Sequence, residues 1–305
     1  MMTKLFSVAG HAFSVTMNTD SPLWNCMENY APFLMEGECP QEERVFSLET
    51  LPDDNVDTPH GRLLLSGADE EEGAPRLDVF QSLDGQGLLI KMAPVQSAAV
   101  CAALEVSADY TKGQLRMTGS SRSRKFALDN SLMLMYAFST ACKRTLEMHA
   151  SVVENGGHAY MFLGVSGAGK STHSRMWLEN IPGTVLVNDD NPIVRVFDDG
   201  RVMVYGSPWS GKTACYKKLE HPLKGTVSII KAPHNVLRRL DAISSYAKLY
   251  SSCSGYRPDS AMADGMHATL ETFTLNVPGY ELECLPDGDA ARVCKQGIDG
   301  DTDAA

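Results

Sequence analysis

The sequence predicts an α/β fold with α+β character, in which a β-rich domain precedes a mixed domain. Two observations support this prediction. Residues 1–127 contain short apolar runs separated by turn-rich polar stretches, a pattern typical of β-strands. Residues 128–298 alternate strand-length apolar runs with longer amphipathic stretches typical of helices, and a glycine-rich loop joins one such pair. We therefore predict two domains with these bounds and a flexible tail over residues 299–305.

Seven apolar runs are expected to form the strands of the first domain. They lie at residues 4–17, 45–48, 62–65, 77–81, 88–92, 98–106 and 113–117. The acidic stretch at residues 69–72 is expected to be a solvated loop. For the basic cluster of Arg122, Arg124 and Lys125, a solvated loop and a contact with an acidic or phosphorylated partner both stay open.

The second domain is expected to open with a helix that Asp129 or Asn130 caps and that ends near Lys143. Two strands, at residues 147–153 and 158–163, then form a hairpin that leads into the glycine-rich loop. The later strands are expected at residues 184–187, 193–197, 202–205, 226–231 and 280–285, and the later helices at residues 171–178, 235–253, 260–274 and 290–295.

The composition is that of an ordinary globular protein with an excess of acidic residues. Of the 305 residues 43% are hydrophobic, which is enough to build large cores. The 27 basic and 38 acidic residues give a formal charge of -11, which argues against nucleic acid or an anionic membrane as the main partner. Eight cysteines without a C-x-x-C pair predict reduced core thiols rather than zinc ligands or disulfides.

The N-terminal residues predict a strand rather than a signal peptide, because apolar and polar residues alternate over residues 6–15. No segment approaches the roughly 20 apolar residues that a membrane helix needs. We therefore expect a cytoplasmic protein. The sequence leaves a homo-oligomer open.

The most informative motif spans residues 164–171, GVSGAGKS, which fits the pattern G-x-x-x-x-G-K-[ST]. An apolar run precedes it and a helix-compatible stretch follows, and in that context the backbone N–H groups and a helix N-terminus point at one anion. The alternative is a glycine-rich turn that matches by chance. The residues expected to bind the nucleotide phosphates are Gly164, Ser166, Gly167, Ala168, Gly169, Lys170, Ser171 and Thr172.

Residue type predicts a role for each part of this motif. The glycines permit positive φ and close approach of the backbone to phosphate. Lys170 supplies a point charge between the β- and γ-phosphates, and the Ser171 hydroxyl can ligate a phosphate-bound Mg²⁺. The sequence therefore predicts a site for ATP or, as an open alternative, GTP, together with Mg²⁺.

Asp189 and Asp190 are the candidate carboxylates, because they close a β-branched strand about 20 residues after Lys170. Adjacent side chains at a strand end point in different directions, so one carboxylate can face the metal and the other the acceptor. An ordinary Asp-rich turn is the alternative. His149 lies one strand before the motif, where a histidine satisfied within the core is the simpler interpretation.

The order of His149, the glycine-rich motif and the segment Asn188-Asp189-Asp190 resembles the kinase domain of HPr kinase/phosphorylase, which shares its nucleotide-binding core with phosphoenolpyruvate carboxykinase. The resemblance covers roughly residues 130–297. It implies that Asp189 is the general base toward an acceptor serine, and that Asp190 lies near the metal with Ser171. It also implies that His149 tunes the two carboxylates, and that Lys170 and Ser171 are the ATP and Mg²⁺ ligands.

A further segment, YGSPWSGK at residues 205–212, resembles a G-[ST]-P-W-S-G stretch of HPr-kinase-like proteins. A tight turn with an aromatic residue and a cation predicts that Lys212 meets the transferring phosphoryl group and that Trp209 shapes the acceptor or the nucleotide pocket, with Ser210 as a further substrate contact. A structural turn with Trp209 buried in the core is the open alternative.

The leading hypothesis is a kinase that depends on ATP and Mg²⁺ and transfers the γ-phosphate to a hydroxyl. The acceptor would be an unidentified serine in a protein, a peptide or a small molecule. A nucleotide-binding regulatory module without phosphotransfer and a phosphoenolpyruvate carboxykinase-like enzyme are the alternatives.

Overall fold

The computed structural model describes residues 1–67, 74–211 and 213–303. It divides into two compact units, Met1–Ser139 and Thr140–Ala305, each with a large mixed sheet, as expected for a mixed α/β chain. The helix expected to open the second domain belongs to the first unit. The acidic stretch at 69–72, Lys212 and the last two residues of the expected tail lie outside the described residues.

The first unit is an eight-stranded sheet of order β1-β2-β3-β8-β7-β6-β5-β4. The β2–β3 and β3–β8 pairs are parallel and the other pairs antiparallel. Its strands are β1 (Met2–Val8), β2 (His11–Met17), β3 (Arg44–Thr50), β4 (Leu63–Leu65), β5 (Arg76–Gln81), β6 (Leu88–Ala93), β7 (Ala102–Val106) and β8 (Lys112–Met117). Short 3-10 helices occupy Pro22–Cys26, Glu28–Phe33 and Gln41–Glu43.

Helix α1 (Ser121–Thr140) covers this sheet. Its Tyr136 donates a hydrogen bond of 2.9 Å to the Val8 carbonyl, and a Cβ added at Gly113 of β8 would lie 3.1 Å from Met135. The helix begins eight residues before the expected Asp129 cap, because the Ser120 hydroxyl accepts from the Ser123 N–H at 3.2 Å.

The second unit has a nine-stranded sheet whose main path runs β12-β10-β11-β15-β14-β13-β9, with β17 pairing β15 and β16. Only β11–β15 and β15–β17 are parallel among its described pairs. Its strands are β9 (Thr145–Glu147), β10 (Ala150–Asn155), β11 (His158–Leu163), β12 (Val185–Asp190), β13 (Ile193–Val196), β14 (Val202–Tyr205), β15 (Glu220–Lys231), β16 (Val236–Arg239) and β17 (Gly279–Cys284). Its helices are α2 (Lys170–Asn180), α3 (Ala242–Ser251), α4 (Ser260–Asn276) and α5 (Gly288–Asp303), with a 3-10 turn at Ala141–Lys143.

Helices α2 and α5 pack together over one aromatic and aliphatic core of this unit. Trp177 of α2 is fully buried there against Tyr160 and Phe162 of β11. The expected hairpin before the glycine-rich loop is confirmed: Gly156 and Gly157 join β10 to β11 with φ of 64° and 84°. Such a turn requires positive φ at both central residues, which glycine provides without strain.

Three local expectations were wrong. The expected helix at 235–253 is β16 followed by α3, because residues 236–239 pair with β17 and Asp241 caps α3 by accepting from the Ser244 N–H. The expected strand at 4–17 is a hairpin that turns at Ala9 and Gly10, both with positive φ. The expected tail continues α5 to Asp303, since Asp299 is held by Lys224. Within the described residues no helix is both long enough and apolar enough to cross a membrane.

Candidate functional site

The candidate residues meet because β10 runs antiparallel to both of its neighbours. Ser151, near the start of β10, lies opposite Phe162 on one side and Asp189 on the other. The start of β10 and the ends of β11 and β12 therefore share one edge of the sheet, which we call the loop edge. This edge carries His149, the glycine loop (residues 164–171) and the two aspartates.

The glycine loop needs its glycines for two reasons. Gly164, Gly167 and Gly169 have φ of 145°, 74° and 113°, values at which any other residue would be strained. In addition, a Cβ at Gly164 would lie only 2.9 Å from the Cβ of Ala168. The loop exposes Ser166 and leads into α2, whose first residue is Lys170, so that the free N–H groups of a helix N-terminus adjoin it.

Lys170 bends back over the glycine loop. Only 8% of the residue is exposed, and its Nζ donates to the Gly164 carbonyl at 2.8 Å. Burial lowers the pKa of Lys170, while the negative charges of Asp190 and Asp189 oppose that shift. The lysine, the loop and both aspartates therefore form one electrostatic group.

The hydroxyl residues that follow Lys170 differ in environment. Ser171 is exposed, and its hydroxyl has no hydrogen-bond partner within the described part of the chain. Thr172 is half-buried. Ser174, one turn further along α2, lies 2.6 Å from the Ser151 hydroxyl in the interior, which ties the helix to β10. A single ordered helix start thus presents the exposed Ser171 hydroxyl directly after Lys170.

Asp189 and Asp190 have different surroundings, as expected for neighbours at a strand end. Asp189 is 4% exposed, and its Oδ1 is buried without a hydrogen-bond partner among the described residues. Asp190 is half-buried and has φ of 141°, which is unfavourable for any residue but glycine. Strained backbone and unpaired buried oxygens persist where function requires them. Both features therefore identify this strand end as a candidate functional site.

His149 faces Asp190 and is not a core histidine. Its Nδ1 lies 3.4 Å from the Asp190 Oδ1, and about half of its side chain is exposed. Burial lowers the pKa of His149, and the Lys170 charge adds to this effect while Asp190 opposes it. Its backbone N–H donates to the Ser252 carbonyl at 2.7 Å, which fixes the start of β10.

The segment after β14 packs its backbone on the aspartates. Gly211 donates to the Asp189 carbonyl at 2.6 Å, and Ser210 forms a bridge with Asp190. Trp209 is 4% exposed, so its ring lies in the interior, as in the structural-turn alternative. The Ser210 hydroxyl donates to the Thr213 carbonyl at 2.6 Å. Lys212, to which the sequence assigns a role in phosphoryl transfer, lies outside the described residues.

Glu147 is a residue of this edge that the sequence analysis does not single out. It is 1% exposed, and neither carboxylate oxygen makes a hydrogen bond of good geometry within the described residues. Burial raises its pKa to about 7; the Ser254 side chain opposes this and the Asp190 charge adds to it. The sequence feature that could have identified Glu147 is its position two residues before His149, because alternate residues of an extended chain lie on the same face.

The oxygens at the loop edge suit a Mg²⁺ ion that is shared with phosphates better than a metal ion that only protein side chains coordinate. Within the described ranges no cluster of three or more histidine, cysteine or acidic side chains is placed to hold a metal ion. Mg²⁺ bound with phosphates needs only one or two protein oxygens and keeps several waters. The free Ser171 hydroxyl and the partly exposed Asp190 carboxylate are donors of that kind.

Comparisons with known proteins found likenesses in structure but none in sequence. No family model matches the chain, and no curated protein matches it in sequence. Among solved structures, the HPr(Ser) kinase/phosphatase from Coxiella burnetii matches with 12% sequence identity and a TM-score of 0.30. The match covers 51% of this chain and 95% of that one.

Proposed function

We propose that the second unit is an ATP- and Mg²⁺-dependent kinase that transfers the γ-phosphate to a hydroxyl. The single observation that best supports this proposal is Asp189, a buried carboxylate beside Lys170 and the glycine loop whose Oδ1 has no hydrogen-bond partner among the described residues. A buried acceptor without a partner costs about 1–3 kcal/mol, so its retention at the loop edge favours a role in binding a proton donor. An acceptor hydroxyl is such a donor.

The roles of the other residues follow from their chemistry. The N–H groups of the glycine loop and the start of α2 would bind the β- and γ-phosphates, as anions bind helix N-termini. Lys170 would add a positive charge next to them. It now donates to the Gly164 carbonyl, and a phosphate oxygen would take the place of that weaker acceptor. Catalysis of phosphoryl transfer consists mainly of such positioning and charge neutralisation.

Asp189 and Asp190 would divide the remaining work. Asp189 would accept the proton of the attacking hydroxyl through its free Oδ1, and His149 would hold the Asp190 carboxylate in place. Ser171 and Asp190 would hold Mg²⁺, which when bound neutralises the developing charge on the phosphates. The acceptor belongs to the class of serine-like hydroxyls, in a protein, a peptide or a small molecule.

The test is the Asp189→Asn variant, with ATP, Mg²⁺ and water as the acceptor. We expect the release of inorganic phosphate to fall by about 10²-fold or more, because asparagine does not accept the proton, while ATP affinity stays within a few fold. Asp198→Asn is the matched control, since Asp198 is 95% exposed in a turn of the same unit. Phosphate release unchanged by Asp189→Asn would exclude the general base. Tight ATP binding with no phosphate release by the natural protein would favour a regulatory module.

A further inference from the structure

A small pocket opens beside the start of α2, on the side of the glycine loop that faces β15 and the segment after β17. Its volume is about 210 Å³. Ala168, Gly169 and Thr172 form one wall of it. The opposite walls are mainly apolar and come from Ile229, Ala232, Cys284, Leu285 and Pro286. The pocket therefore combines loop residues with an apolar slot that the proposed chemistry does not use.

We propose that this pocket binds the base of the nucleotide and that it selects adenine over guanine. The inference rests on the proposed phosphate site, because it concerns the other end of the same ligand. Thr172 directly follows Ser171, and Gly169 directly precedes Lys170, so the pocket begins where the phosphates would end. Apolar walls of this kind bind the flat faces of a heterocycle by burying them from water.

The polar groups of the pocket favour ligands with acceptor nitrogens. His173 lines the pocket, and its Nε2 accepts a hydrogen bond of 3.0 Å from the Trp177 indole. The proton of the neutral imidazole is therefore on Nδ1, which is a donor and has no partner of its own among the described residues. Adenine presents unprotonated ring nitrogens that can accept from such a donor.

Guanine is disfavoured because, among the described residues, no side chain lining the pocket is a carboxylate or an amide. Adenine carries a ring acceptor and only the two N–H donors of its amino group, whereas guanine carries a ring N–H and an amino group, three N–H donors in all. Those donors would be buried without a good acceptor, which is costly. Of the other polar side chains of the wall, Lys231 is only a donor, and Thr172 lies at the end of the pocket next to the proposed phosphate site. We expect ATP to bind about tenfold more tightly than GTP.

The experiment is calorimetric titration of the full chain with ATP, GTP and inorganic tripolyphosphate, each with Mg²⁺. Ala232→Phe places a ring in the pocket. We expect it to weaken ATP binding at least tenfold and to leave tripolyphosphate binding unchanged. Ala268→Phe, at an exposed position of α4, is the matched control and should change neither affinity. Leu285→Ser at the partly exposed rim provides a milder variant that should weaken ATP binding a few fold.

The outcomes separate the two proposals. Unchanged ATP affinity in both pocket variants, with tripolyphosphate still bound, would place the base elsewhere and leave the phosphate site intact. GTP binding as tight as ATP would contradict the adenine preference. If the natural protein binds neither ATP nor tripolyphosphate, the proposed function fails and the base pocket fails with it.

Discussion

Two groups of charged side chains in the second unit show opposite designs. At the loop edge, Asp189 and Glu147 are buried and keep carboxylate oxygens without hydrogen-bond partners in the described structure. Around α5, Asp299 accepts hydrogen bonds from Tyr160 at 2.7 Å and from Lys224 and Lys295; we call these four residues the Asp299 cluster. One group leaves hydrogen-bonding capacity unused, and the other satisfies it within the protein.

The comparison distinguishes charged side chains that stabilise the fold from charged side chains that are placed for a ligand. Hydrogen bonds that are complete in the protein stabilise it, whereas incomplete ones lower its stability and are retained where a ligand completes them. The pKa values follow the same division. Burial raises the pKa of Glu147 to about 7. Burial also acts to raise the pKa of Asp299, but hydrogen bonds from Lys224, Lys295 and Tyr160 outweigh it and lower that pKa to about 2.

The largest expected effect is on ligand binding at the loop edge. Lys170→Ala removes the cation beside the glycine loop, and we expect it to abolish the rise in melting temperature that ATP and Mg²⁺ produce. This corresponds to an affinity loss of about 100-fold or more. Lys218→Ala, at an exposed position, is the control. An undiminished thermal shift in Lys170→Ala would mean that the loop edge does not bind phosphate.

The second effect concerns pH. The folded-state pKa of Glu147 lies above its unfolded value of 4.5, so the natural protein should lose stability as pH rises from about 4.5 to about 7. Glu147→Gln does not titrate. We therefore expect the free energy of unfolding of Glu147→Gln, minus that of the natural protein, to rise by about 3 kcal/mol as the pH increases across that range. Urea unfolding at pH 5 and pH 8 measures this change, and parallel pH profiles would contradict the buried, protonated carboxyl.

The third effect should appear in stability alone. Asp299→Asn weakens the bonds from Lys224 and Lys295, and we expect the free energy of unfolding to fall by about 1–2 kcal/mol at neutral pH. The lowered pKa means that this stabilisation is present above about pH 3.8 and disappears as pH falls toward 2. ATP affinity should not change. Weakened ATP binding in this variant would contradict the view that the Asp299 cluster contributes to stability and the loop edge to ligand binding.

The smallest effect isolates backbone strain at the loop edge. Asp190 has φ of 141°, which glycine adopts freely and alanine does not. We expect Asp190→Gly to be about 1 kcal/mol more stable than Asp190→Ala in chemical denaturation, although both lack the carboxylate. Equal stabilities would show that the strand end is not strained.

The sequence predicts those parts of the site that depend on neighbours along the chain. The strand, glycine loop and helix around Lys170 follow from local pattern, as does the hairpin before them. Local signals are sufficient here because each element is short and strongly patterned. The order of β10 between β11 and β12 brings His149 to Asp190, a proximity that the resemblance implies and that local pattern does not predict.

Other features depend on tertiary context and have no local signal. The burial of Glu147, and of an Asp189 Oδ1 without a hydrogen-bond partner in the described part of the chain, results from packing against distant strands. The pocket beside α2 joins the end of β15 to the segment after β17, which is more than fifty residues away in sequence. Residues 236–239 were expected in a helix, since only their pairing with β17 identifies them as a strand.

The hairpin turn at Gly156 and Gly157 has a practical consequence. It lies at the end of β10 and β11 opposite the loop edge, roughly 20 Å away for strands of six residues. A side-chain carbon placed at either glycine would meet no atom within 4 Å. An affinity peptide inserted at this turn would therefore leave the loop edge untouched, and it would give a handle for capturing the proposed acceptor.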